Sequence, residues 1–60
     1  MDKKQIKNLM DKLRQPIHIS YISKYILRQN EDETKKQLDI LISEGYIQKS
    51  SLSDGYYVAI

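Results

Sequence analysis

Few residues in this chain could do chemistry, and their types suit contact better than catalysis. His18 is the single histidine, there is no cysteine, and five of the eight carboxylates lie between residues 31 and 44. Catalysis needs a concave, water-excluding site with preorganised acid and base groups. Sixty residues with a lone imidazole and carboxylates gathered at Glu31, Asp32 and Glu33 supply no such arrangement, so the chain is read as a non-enzyme. A zinc cage needs three or four converging cysteine or histidine ligands, so neither metal nor cofactor is expected.

What remains is the chemistry of surfaces. Tyr21, Tyr25 and Arg28 recur at helical spacing, with Lys24 one step round. Tyrosine and arginine are enriched at protein hot spots, while aromatic faces beside cations also stack single-stranded bases. The same two rings could instead pad the rim of a small core. His18, with no Ser or Asp constellation around it, reads as structural or solvent-facing.

The composition bounds what must position these groups. A 60-residue chain with 40% hydrophobic and 30% charged residues, one Pro and two Gly forms one domain, residues 1–60, held by packing alone. No run approaches a membrane span and the first residues lack the apolar stretch of a secretion signal, so a cytoplasmic protein is expected, with no membrane contact and no small-molecule ligand. The excess of Lys, Ile and Tyr suits an AT-rich, bacterial genome. The formal net charge of +2 is unevenly spread: residues 1–15 hold five cations against two carboxylates, and residues 31–44 two against five.

Periodicity predicts the elements. Ile6, Leu9, Met10 and Leu13 mark one face of a first helix, opened by an Asp2/Gln5 capping box and ended by Pro16. Ile17-His18-Ile19 is a short strand. Ser20 is the expected N-cap of a two-turn helix that turns Ile22 and Ile26 inward beside Ser23. After a turn over Leu27 to Asn30, Asn30 caps a third helix whose acidic start suits the helix dipole. Its inward stripe is Thr34, Leu38, Leu41 and Ile42, and Gly45 ends it. Tyr46 to Ser50 and Tyr56 to Ile60 then form a hairpin, joined through Ser51-Leu52-Ser53-Asp54-Gly55.

This order, with the tract Leu38, Leu41, Gly45, Tyr46, Ile47 and the closing Gly55-Tyr56-Tyr57, resembles the winged helix-turn-helix family over almost the whole chain. The resemblance implies an α+β fold of three helices, with a short strand between helices one and two and a C-terminal hairpin as the wing. One departure is visible: the family often has glycine in the turn before its third helix, where this chain reads Leu27-Arg28-Gln29-Asn30. Asn30 in a left-handed conformation, or a wider turn, is expected to substitute. In size, composition and wing pattern the chain also resembles the small winged-helix partner proteins encoded beside polymerase-family primases on bacterial mobile cassettes. In those systems the large partner does the chemistry of DNA replication.

The family's mode of duplex recognition, with the third helix in the major groove, implies Lys35, Lys36 and Gln37 as contacts, with Arg28 and Lys49 as further candidates. The outward ridge of that helix, Glu33, Lys36, Ile40 and Ser43 with Asp32 and Asp39 beside it, suits phosphate poorly. The wing tip has no cation and presents Leu52, which either inserts into a partner or folds back on its hairpin. Tyr21, Tyr25, Ile40 and Leu52 are therefore the candidate protein-binding residues. Two readings follow. One is an accessory subunit of a larger nucleic-acid enzyme, a polymerase or primase, touching DNA weakly and without sequence preference. The other is a small sequence-specific duplex-DNA regulator of the repressor or excisionase type.

Overall fold

The computed structural model describes residues 2–60, and its first helix, α1 (Lys3–Lys12), starts at the expected capping box. The Gln5 amide donates to Asp2 Oδ1 at 2.8 Å, and the Asp2 amide donates to Gln5 Oε1 at 3.1 Å. These two bonds satisfy amides that a helix start leaves without intrahelical partners. The helix stops at Lys12, earlier than Pro16 alone requires, with Leu13 as its C-cap. Leu13 accepts from the Ala59 amide at 2.9 Å, which ties the end of α1 to the last strand.

Strand β1 (Ile17–His18) leads directly into α2, which begins as Ile19–Tyr21 and continues as a π-helical stretch, Ile22–Ile26. Its N-cap is His18 and not Ser20. The Ser20 amide donates to His18 Nδ1 at 3.1 Å, and the Ser20 hydroxyl lies 2.8 Å from the same nitrogen. An imidazole two residues ahead can therefore do what a serine hydroxyl does at the usual position, and the helix begins two residues earlier than the sequence suggests.

In the turn that follows, Arg28 and not Asn30 takes the left-handed conformation, with φ of +53°. Asn30 is committed elsewhere: its extended backbone and its side chain, accepting from the Glu33 amide at 2.8 Å, cap helix α3 (Glu31–Ser43). The reversal must therefore be made upstream, at about 1–2 kcal/mol for a residue with a Cβ. Helix α3 ends as expected, with Gly45 at φ +86°. The Tyr46 amide reaches Leu41 O at 3.0 Å and the Gly45 amide reaches Ile42 O at 3.1 Å, the paired bonds of a Schellman motif.

Strands β2 (Ile47–Lys49) and β3 (Tyr56–Ala59) form the hairpin. β1 pairs antiparallel on the other side of β3, so the sheet order is β1-β3-β2. Leu9, Leu13, Ile22, Leu38, Leu41, Ile47 and Tyr57 form the core, with Thr34 and Ser23 the buried polar residues. The architecture is α+β: three helices on a small antiparallel sheet.

Residues opposite one another across a ladder share a face. Ile17 and Lys49 both pair with Tyr57, and Ile47 pairs with Ala59, so this face meets the helices. His18 pairs with Tyr56 on the opposite face, where their rings meet edge-on at 5.0 Å.

Candidate functional site

The register that puts Lys49 on the helix-facing side of the sheet carries it past the core toward the start of α3. There it lines a cleft of about 410 Å³ together with Glu31, Asp32, Lys35, Asp54 and Tyr56. Two of the sequence-predicted cations, Lys35 and Lys49, are thus brought to one site, together with three carboxylates. Asp39 adds a further negative charge to this flank: burial, and then the charge of Asp39, push the Tyr57 phenol above its ordinary value.

Lys36 lies on the outward ridge of α3, where its ammonium stands 3.7 Å from Glu33 Oε1 in an exposed pair. Such pairs contribute little to stability, but this one sets a carboxylate beside the only lysine of the ridge. Ile40, on the same ridge, is 48% exposed. Gln37 is not on that surface. At 100° per residue it falls a quarter turn from buried Leu38, and it lines a separate cleft of about 260 Å³ with Gln5, Asn8 and Gln29. The side chain of Arg28 is exposed in the α2–α3 turn. Leu52 does not fold back on its hairpin: it is 75% exposed, with its amide donating to Ser50 Oγ at 3.1 Å.

Tyr21 and Tyr25 stand one helical turn apart on α2, and their ring centroids are 4.8 Å apart at a 44° tilt. Lys24 Nζ lies 5.3 Å from the centroid of the Tyr25 ring, within reach of a cation–π attraction. Both tyrosines are more than half exposed, so they are not core padding. Tyr21 also borders a cleft of about 360 Å³ with Pro16, Ile17, His18 and Tyr56.

One surface escaped the sequence reading. Ile6 and Met10, counted as part of the buried stripe of α1, are only half buried. With Tyr46 they floor an apolar groove of about 350 Å³, and Lys3 and Lys7 line it too. The width of the α1 stripe was the available signal, since Leu9 and Leu13 alone supply the fully buried contacts of this helix.

Among the described residues no group of three histidine, cysteine or carboxylate side chains is placed to hold a metal ion, and no helix is long and apolar enough to cross a membrane. Comparison of the chain with family models, curated proteins and solved structures finds no match.

Proposed function

We propose that this chain is a winged helix-turn-helix module that acts as a non-catalytic accessory subunit, binding a larger nucleic-acid enzyme and touching duplex DNA weakly. The element order and the β1-β3-β2 sheet support the winged-helix reading, with β2 and β3 as the wing. The observation that carries the accessory role is the charge of the surface that would meet a duplex. Helix α3 and the hairpin present Lys35, Lys36 and Lys49 against Glu31, Asp32, Glu33, Asp39 and Asp54. A net negative face is repelled by phosphate, which supplies most non-specific and much specific affinity. Exposed Ile40 and Leu52 on the same two elements suit a protein contact instead. The resemblance to primase partners suggests a polymerase or primase of a bacterial mobile element as the enzyme, with this chain helping it engage template or primer.

The second reading, a duplex-binding regulator, draws on Lys35 and Lys49 lining one cleft, against the three carboxylates that share it. Titration with duplex DNA over a range of salt separates the two. With about 2–4 phosphates neutralised at −0.9 each, the accessory module gives a log–log slope of roughly −2 to −4, and it co-purifies from its host with a stable large enzyme. Nanomolar, sequence-selective binding at near-physiological salt by the chain alone establishes the regulator and overturns the accessory role.

A further inference from the structure

We propose that the aromatic face formed by Tyr21, Tyr25, His18 and Tyr56 is a binding site for single-stranded nucleic acid, in which bases stack on the tyrosine rings. It meets the α3–hairpin cleft only at Tyr56 and stands whether or not the accessory reading holds.

Three observations carry it. The rings are presented and not packed away: Tyr21 is 51% and Tyr25 57% exposed. They are also arranged as a platform. The Tyr21 and Tyr25 centroids are 4.8 Å apart with the Lys24 ammonium 5.3 Å from the Tyr25 ring, and Tyr21 lines one cleft with His18 and Tyr56, whose rings meet edge-on at 5.0 Å. Preordered rings lose little freedom when a planar base arrives, and every base has a π-face to offer.

The third observation is charge, and it selects the occupant. Among the described residues no Lys, Arg, Asp or Glu lines this cleft. From Pro16 to Asn30 the chain carries Lys24 and Arg28 and not one carboxylate, while Arg14 is already paired with Asp11 at 3.8 Å. Glu31, Asp32 and Asp54 line the α3–hairpin cleft that Tyr56 also borders. A polyanion is thus attracted to the α2 side and repelled from the α3 side. Duplex DNA hides its base faces in its own stack, so a site built of rings with a few flanking cations takes unpaired strands. Lys24 and Arg28 provide the phosphate contacts.

The test is fluorescence anisotropy with a labelled oligothymidylate of about 15 nucleotides, long enough to span a single-strand site. An abasic oligomer and a duplex of equal length serve as comparisons. Wild-type protein binds oligothymidylate more tightly than either, with a salt slope near −1.4 for about two phosphates at −0.7 each. Tyr21→Ala lowers affinity by about 5- to 150-fold and Tyr25→Ala by a similar factor, the range alanine substitution gives for a stacked base. Tyr21→Phe retains it, because the ring and not the hydroxyl makes the contact. Equal affinity for the base-bearing and abasic strands overturns the proposal without recourse to any variant. So does Tyr21→Ala with native circular dichroism and unchanged oligonucleotide affinity. If that variant weakens a protein complex instead, the face belongs to the protein partner.

Discussion

The imidazole of His18 lies so close over Gly55 that a methyl group at residue 55 would stand 2.8 Å from Nε2. The Ile19 amide donates to Gly55 O at 2.8 Å beside it, so β1 and the end of the hairpin loop are locked together. Gly55 has φ of +84° and Gly45 +86°, yet nothing lies within 4 Å of a Cβ built at Gly45. Gly45→Ala is therefore expected to cost about 1–2 kcal/mol from left-handed strain alone. Gly55→Ala pays that and a collision with a ring held by its own hydrogen bonds, and is the more damaging. His18→Ala loses the α2 cap, at about 0.5–2 kcal/mol, but removes the collision. Urea unfolding of both single variants and the double variant checks this: the double is more stable than the sum of the singles requires. Additive costs place the ring elsewhere.

Thr34 is fully buried in α3, and its hydroxyl has no hydrogen-bond partner among the described residues. A buried, unsatisfied hydroxyl costs about 1–3 kcal/mol. Thr34→Val keeps the shape and removes the polar atom, so it should raise the melting temperature; each 1 kcal/mol is about 4–8 °C in a domain of this size. Leu38, one turn further on, gives the opposite result. Its truncation to alanine opens a cavity at about 2–5 kcal/mol, comparable with the whole stability of so small a domain. A thermal melt followed by circular dichroism reads both, and an unchanged melt for Leu38→Ala puts the register of α3 in error.

The helical stripes, Asn30, Gly45 and the hairpin were legible because each depends on local spacing and local backbone chemistry. Thr34, Leu38 and Leu41 repeat at helical period, and Gly45 occupies the left-handed position that the Schellman motif requires. What escaped depends on competition between neighbours. Ser20 lost the N-cap to His18 because the imidazole accepts from the amide of Ser20 itself, and Arg28 took the reversal because Asn30 was already used as a cap. The position of Gln37 was within reach of the helical period, but grouping it with Lys35 and Lys36 followed the family pattern and not the wheel. Bringing Lys49 to Lys35 needs the register of β2 against β3, which no local signal encodes.

Tyr57 gives the protein an alkaline limit. Burial and then Asp39 raise its phenol above the ordinary value near 10. The folded protein thus keeps a proton that the unfolded chain releases. The resulting stability is fully present below pH ~10 and is lost as pH rises through the folded-state value. Thermal melts between about pH 9 and about pH 11 should show a decline that Tyr57→Phe flattens and Asp39→Asn lessens. A wild-type decline equal to that of Tyr57→Phe removes this residue as its source.

Ile40 separates the two functional readings most sharply. It is half exposed on the outward ridge of α3, and Ser43 Oγ donates back to its carbonyl at 2.7 Å, so the backbone there is held whatever the side chain. Ile40→Lys should leave the melt nearly unchanged, since an exposed site loses little on substitution. On a DNA reader it adds a cation toward phosphate, and duplex affinity rises with a steeper salt slope. On a protein interface it removes an apolar anchor and buries an unpaired charge, a combination that costs about 2 kcal/mol or more in binding. The accessory role predicts the second result, with a partner complex weakened by about 30-fold or more. Improved duplex binding with the complex intact assigns this ridge to DNA and removes Ile40 from the partner surface.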